Sequence, residues 1–188
     1  MNVILASASP RRKQLLAQII KEFTVCPAQG EERTDCSLPP EQIVVELAKQ
    51  KAKEVYRKNP KSAVLGADTI VYFEGKVLGK PSDAEDAKRT LRSLSGKTHS
   101  VYTGWCLMAP NAERSGAVRS DVTFCKLDEG FISEYVSSGS PLDKAGSYGI
   151  QDDERIVKTY QGSYTNIIGL PVEEIREQLR KIGVQTND

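Results

Sequence analysis

The sequence predicts an α/β protein with a mixed sheet, folded as two lobes around a cleft. Three observations predict it. Short apolar, β-rich runs alternate with segments of helical period along the whole chain. The order of strands and helices is mixed, not segregated into an all-β and an all-α half. No internal repeat, low-complexity segment or linker divides the 188 residues, so 1–188 reads as one domain. Sheets of this kind usually take their ligands in a cleft.

The elements follow in order. Val3 to Ala6 is a first strand. Ser9-Pro10 opens a helix with Leu15, Leu16, Ile19 and Ile20 on its apolar face: the serine hydroxyl caps free backbone N–H groups, and proline loses nothing in the first turn. Phe23 to Pro27 is a short strand. After Pro39-Pro40, apolar residues at Ile43, Val44, Leu47, Ala48, Ala52 and Val55 set a helix over 41–58. Ala63 to Phe73 is β-rich and turns through Glu74-Gly75-Lys76 into Val77-Leu78. Asp83 to Leu94 is a helix capped by Ser82 or Asp83, with Gly96 beyond its end. Strands at Ser100–Met108 and Val118–Lys126 flank a polar turn, Pro110 to Gly116. Glu129 to Ser137 is helical. Ile156–Tyr160 and Tyr164–Ile168 read as a last hairpin, and Pro171 to Ile182 as the closing helix.

Composition narrows the function. Twenty-six basic and twenty-five acidic residues leave a net charge of +1, so bulk charge asks for neither nucleic acid nor membrane. Any polyanion site must be a local basic cluster. No stretch is long and apolar enough to span a bilayer, and the start reads as a buried strand, not a signal peptide. Cys26, Cys36, Cys106 and Cys125 form no C-x-x-C pair, which argues against zinc and for reduced thiols in a cytoplasmic protein.

Four segments could carry chemistry. Ser7-Ala8-Ser9-Pro10-Arg11-Arg12-Lys13 joins a strand end to a helix start, where free N–H groups and forked guanidinium donors suit phosphate; the same pattern fits a capped surface helix. It is not a Walker loop. Asp68, in Gly66-Ala67-Asp68-Thr69, interrupts an apolar strand and needs a partner. It is a candidate general base or metal ligand, or a bulge aspartate capping backbone. Lys51 borders the buried face of its helix and Lys80 follows the hairpin; either could meet a polyphosphate. In Pro141 to Gln151, the Gln151 amide can both donate and accept, which suits reading a base edge. The single histidine, His99, reads as structural: no G-x-S-x-G accompanies it, and no G-x-G-x-x-G follows a strand.

Seven segments in series closely resemble the Maf family of nucleotide pyrophosphatases. They are Leu5-Ala6-Ser7-Ala8-Ser9-Pro10-Arg11-Arg12, Leu47-Ala48-Lys49-Gln50-Lys51-Ala52, Gly66-Ala67-Asp68-Thr69, Lys80-Pro81-Ser82-Asp83, Leu94 to His99, Asp143 to Gln151, and Gly169-Leu170-Pro171. The resemblance implies an elongated fold related to the inosine triphosphate pyrophosphatases (Maf/Ham1-like). It implies hydrolysis between the α- and β-phosphates with a divalent ion, Mg²⁺ or Mn²⁺, and commonly a homodimer; some members are linked to septum formation. In the branch acting on 7-methyl-GTP, tryptophan follows Ser-Pro, glutamine replaces the GADT threonine and glutamate the loop glutamine. Arg11, Thr69 and Gln151 here resemble the dTTP/UTP branch. Ala8 stands where many members have glycine, and Asp152-Asp153-Glu154 where relatives often have a neutral, glycine-rich stretch; these acids could repel substrate or help hold a metal.

On this reading Ser7, Arg11, Arg12, Lys51 and Lys80 neutralise the triphosphate, Thr69 and Gln151 bind substrate with the Gln151 amide at the base edge, and Asp68 with Glu31 or Glu32 contacts the metal. Asp68 activates the attacking water. The alternatives are an inosine/xanthosine triphosphatase and a nucleotide-binding regulator of septation with little catalysis.

Overall fold

The structure is a computed structural model that describes residues 1–35 and 37–187. Its elements are β1 (Val3–Leu5), α1 (Pro10–Ala17), β2 (Thr24–Val25), α2 (Pro40–Lys58), β3 (Ala63–Phe73), β4 (Lys76–Leu78), α3 (Ala84–Leu94), β5 (Thr98–Ala109), β6 (Ala112–Phe124), α4 (Glu129–Ser137), β7 (Val157–Gln161), α5 (Tyr164–Ile168) and α6 (Val172–Lys181). Two short 3-10 turns, Ser140–Asp143 and Ala145–Ser147, lie between α4 and β7.

The strands form one mixed sheet in the order β2-β1-β3-β5-β6-β7, with β4 paired to β3. β1 runs parallel to both β2 and β3; the other pairings are antiparallel. Alternation of side chains along the long strands sorts the core into two layers. Even-numbered positions (Val64, Ile70, Tyr102, Cys106) face α2, which covers its side of the sheet with Val44, Ala48, Ala52 and Val55. Odd-numbered positions of β3 and β5, and the even-numbered positions of β6 registered opposite them, face the other side, where two clusters sit at opposite ends of the strands. Leu65, Ala67, Trp105 and Leu107 pack under α1 and α6. Val71, Val101, Val122 and Phe124 pack under α3 and α4. These clusters are the two lobes, and mid-strand residues such as Thr69 and Thr103 lie between them.

One edge of β3 is interrupted. β1 pairs with Ala63–Leu65 and β4 with Val71–Phe73. Among the described residues no strand lies opposite positions 66–70 on that edge. The chain leaving β1 and the chain leaving β4 therefore both open onto the middle of β3, where Gly66-Ala67-Asp68-Thr69 lies.

Two glycines set how closely α2 approaches. A Cβ on Gly66 would lie 2.4 Å from the Ala48 carbonyl oxygen, and one on Gly104 would lie 2.2 Å from the Val44 carbonyl carbon. Gly104 is registered opposite Asp68. Both glycines let the helix backbone rest directly on the sheet.

Most expected elements appear with ends shifted by one or two residues. Three differ. The strand expected over Phe23–Pro27 is reduced to Thr24–Val25, whose side chains are exposed. The polar turn expected at Pro110–Gly116 is only Pro110-Asn111, because β5 and β6 pair as far as Ala109 and Ala112. The intervening Glu113, Arg114 and Ser115 are exposed on the strand, and Gly116 lies under the Trp105 ring, so polarity there reports exposure and not a loop. The second strand of the expected last hairpin, Tyr164–Ile168, is the helix α5. The Ser163 side chain caps it by accepting from Asn166 N–H. The buried Asn166 amide then ties it to the Val101 carbonyl and Ser120 Oγ.

Gly104→Ala is expected to lower stability by about 3 kcal/mol, since the new methyl meets backbone and α2 must move. Urea unfolding of the purified variant checks this. A loss within about 0.5 kcal/mol would mean that α2 does not rest on Gly104.

Candidate active site

A cleft of about 450 Å³ opens over the interrupted edge of β3. Its first wall is the β1–α1 junction. Ser9 caps α1 by accepting from Arg12 N–H at 3.4 Å, with Pro10 in the first turn. This fixes the direction of Arg12, whose guanidinium donates to three elements: Nε to the Gly169 carbonyl at 2.9 Å, Nη1 to Ser7 Oγ at 3.2 Å and Nη2 to Thr69 Oγ1 at 3.0 Å. Thr69 in turn shares a 2.9 Å hydrogen bond with Thr103, which donates to the Asn166 carbonyl. Arg12 thus braces α1, β3 and the end of α5 at the cleft floor. Burial pulls its pKa down, Asp68 opposes that, and the like charge of Arg11 adds to it. A guanidinium stays charged through such a shift. Arg11 reaches across the cleft mouth instead, donating from Nη1 to Asp143 Oδ2 at 3.1 Å.

The second wall comes from α2 and β3. Lys51 Nζ donates to Asp68 Oδ1 at 2.5 Å and lies 3.0 Å from Glu32 Oε1. The Lys51 and Asp68 side chains are only 13% and 14% exposed. The close seat of α2 on Gly66 and Gly104 lets a helix lysine reach a strand carboxylate. Asp68 Oδ2 makes no hydrogen bond among the described residues. Lys80, exposed after β4, lines the cleft and likewise has no protein partner among the described residues. Its loop is held by the Gly146 N–H bonded to the Gly79 carbonyl at 3.1 Å.

The far end is more apolar: Val71, Val101, Tyr148, Ile150, Ile167 and Ile168, with Gln151 on the rim. Gln151 is exposed and its amide makes no hydrogen bond among the described residues. Tyr148 is buried, and its hydroxyl lies 2.7 Å from His99 Nε2. His99 stacks edge-on against Phe124 and Tyr148, consistent with a structural part. Burial depresses its pKa to about 4 against the opposing charge of Asp121, and burial raises that of Tyr148.

The structure gathers Ser7, Arg11, Arg12, Lys51, Asp68, Thr69, Lys80, Glu32 and Gln151 around one cleft. It does not bring Glu31 there. Glu31, 75% exposed, pairs with Arg33 at 2.7 Å and faces an adjoining groove beside Glu54 and Arg57. Asp143 and Lys144 belong to the Pro141–Gln151 segment, in which only Gln151 was a candidate. Both line the cleft, and Lys144 is tied to Ser140, Asp143 and Asp152. The Lys144 and Arg11 hydrogen bonds hold the Asp143 pKa down, although burial pushes the other way. The apolar wall was also unassigned; Val71 and Val101 share strand parity with Thr69 and Thr103, which was the available signal. Five cations line the cleft against three carboxylates, Glu32, Asp68 and Asp143. None of Asp152-Asp153-Glu154 lines the cleft: Asp152 bonds to Tyr135 and Ser140, and Asp153 to Arg155. Cys26, Cys106 and Cys125 are free thiols, and Cys36 lies outside the described residues. No helix among the described residues is long and apolar enough to cross a membrane.

The fold is Ham1-like. It superposes on the Ham1 protein of Staphylococcus aureus with a TM-score of 0.59 at 12% identity, covering 97% of this chain and 100% of that one. Within that class the chain belongs to the Maf-like protein family, whose model matches residues 2–182. It is 49% identical to the dTTP/UTP pyrophosphatase of Agathobacter rectalis, over 97% of this chain and 98% of that protein. It is 45% identical to the dTTP/UTP pyrophosphatases of Thermococcus gammatolerans, over 97% of each chain, and of Bacillus cereus strain B4264, over 97% of this chain and 96% of that protein.

The neutral, buried His99 predicts a pH dependence of stability. Its folded pKa lies below the unfolded value of 6.5, so its contribution is complete above pH 6.5 and is lost as pH falls towards 4. Between pH 7 and pH 5 this amounts to about 2 kcal/mol. Urea unfolding at both pH values should show the loss in the native chain and a loss smaller by that amount in His99→Gln. Equal losses would refute it.

Proposed function

We propose that this protein hydrolyses dTTP and UTP between the α- and β-phosphates, releasing the nucleoside monophosphate and pyrophosphate. The observation that carries the reading is the cleft itself: a surplus of cations at one end, Asp68 held by Lys51 on the open edge of β3, and an apolar pocket with a free amide at the other. The names of the Maf-like relatives support the reaction and the pyrimidine preference.

The chain's tasks are to neutralise, orient and deprotonate. Lys80, with no protein partner among the described residues, and the α1 start with Ser7 and Arg11 receive the phosphate oxygens. Arg11 exchanges Asp143 for phosphate, while Arg12 keeps the floor rigid. Asp68 offers its free Oδ2 as the base for the attacking water, with Oδ1 anchored by Lys51. The thymine or uracil ring lies against Tyr148, Ile150 and Ile167, and the Gln151 amide pairs with the carbonyl and N3–H edge.

A divalent ion, Mg²⁺ or Mn²⁺, fits this donor set. Among the described residues no three His, Cys, Asp or Glu side chains gather into a ready cage. Asp68 and Glu32 do meet at one ammonium, and Mg²⁺ is commonly held by one or two carboxylates plus water and substrate phosphates. Asp68 and Glu32 would hold it. When bound, such an ion adds positive charge at the phosphates and acidifies water.

The test is pyrophosphate release from a panel of nucleoside triphosphates with Mg²⁺ or Mn²⁺. Selective release from dTTP or UTP is expected, falling at least about a thousandfold in Asp68→Asn. Near-normal turnover in that variant would remove Asp68 from the role. Preference for inosine or xanthosine triphosphate would reassign the base. Binding without release would make the protein a nucleotide-binding regulator. Gln151→Glu is expected to lower kcat/KM for UTP by at least about tenfold through a mismatched base edge; full UTP activity would sink that pairing.

A further inference from the structure

We propose that Asp152 is the positioning residue for the base end of the cleft, holding Gly149, Ile150 and Gln151 in the path that receives a pyrimidine. The inference rests on the proposed reading of Gln151 as the base-contacting group.

Asp152 follows Gln151 directly but is not a cleft-wall residue. Its side chain is 15% exposed and turned towards α4. Oδ2 accepts from Tyr135 O–H at 2.7 Å and from Ser140 Oγ–H at 2.7 Å, and lies 3.3 Å from Lys144 Nζ. The same Tyr135 hydroxyl accepts the Gly149 N–H at 3.1 Å, so one phenol links the carboxylate to the backbone of the base segment. Burial and the Asp152 carboxylate raise the Tyr135 pKa, so the phenol stays protonated and keeps donating. The Asp152 N–H donates to the Gly149 carbonyl at 3.0 Å and closes the turn.

The packing is as specific as the bonding. A Cβ on Gly149 would stand 2.6 Å from Asp152 Oδ1 and 2.9 Å from Oδ2. The glycine and the carboxylate therefore fit each other, and one cannot grow unless the other shrinks. Lys144, only 11% exposed, donates to the Ser140 carbonyl and hydroxyl and offsets the Asp152 charge. Tyr135 is itself fixed on α4 by stacking on Phe131. A part-buried network satisfied in this way favours one loop geometry. The exposed pairing of Arg155 with Asp153 and Glu134 also fastens this loop to α4, but exposed pairs contribute little. With Tyr135, Ser140 and Lys144 gathered at Oδ2, Asp152 is a structural acceptor.

The test measures kcat and KM for UTP, and the inhibition constant of inorganic tripolyphosphate, which fits the phosphate end but carries no base. In Asp152→Ala the UTP KM should rise about tenfold, while kcat and the tripolyphosphate constant stay within about twofold. Asp152→Asn should recover part of the loss, and Tyr135→Phe, which removes one hydroxyl, should raise KM about threefold. Gly149→Ala should impair the native chain more than the Asp152→Ala background. An unmoved UTP KM overturns the proposal. So does a tripolyphosphate constant that shifts in parallel with KM, which would mean general loosening, or strict additivity of Gly149→Ala and Asp152→Ala. If Asp152→Ala does not fold, Tyr135→Phe decides by the same two constants. Absence of pyrophosphate release by the native protein from any nucleotide overturns the functional reading, and this inference with it.

Discussion

The contact on which the cleft depends is the seat of α2 on the sheet at Gly66 and Gly104. Any side chain at either position would meet helix backbone. With both absent, the helix axis comes close enough for Lys51 to donate to Asp68 from the adjoining strand. A buried lysine and carboxylate each need such a partner to remain in the interior. The pair also lies where β3 has lost its outer neighbour, between the end of β1 and the start of β4. Close helix approach and an open strand edge together make a rigid floor that substrate can still reach.

The rest of the cleft is built by long-range braces of different kinds. Arg12 ties its own serine cap region to Thr69 and to the Gly169 carbonyl, so a cation lining a phosphate cleft also carries structural hydrogen bonds. Arg11 and Asp143, 132 residues apart, join the two lobes at the mouth. His99 supports Tyr148 from behind, and Asp152 supports Gln151 from the side. Each residue proposed to touch the substrate thus has a partner, or a neighbouring residue's partner, that fixes its direction. Lys80 is the exception: its backbone is pinned through Gly79 while its ammonium stays free among the described residues.

The charge distribution explains how a nearly neutral chain can host a polyanion. Several surface cations are paired with carboxylates, as in Lys88–Glu85, Arg92–Glu129 and Arg155–Asp153. The cleft holds a local surplus, five cations against three carboxylates, where low-dielectric walls strengthen its field. The acidic run after Gln151, which in one dimension sits beside the site, is only partly felt there. Asp153 pairs with Arg155 outside the cleft, while Asp152 offsets Lys144, one of the five cleft cations.

Local features were legible in the amino-acid sequence because local physics produces them. The serine cap and proline of α1, the helical period of α2, the apolar run of β3 and the lone carboxylate within it all depend on residues a few positions apart. The series of short motifs also sufficed to indicate the family. The tertiary structure alone decided the rest. It turned Glu31 out and Glu32 in, although they are neighbours, because the loop's path is set by Glu54 accepting from the Gln29 and Gly30 N–H groups. It made Tyr164–Ile168 a helix because a buried asparagine found partners on β5 and β6. It aimed Asp152 at α4 because Tyr135, seventeen residues earlier in sequence, presents a hydroxyl there. Where a side chain's direction is set by a partner distant along the chain, spacing and composition carry no information about it; only the packed fold does.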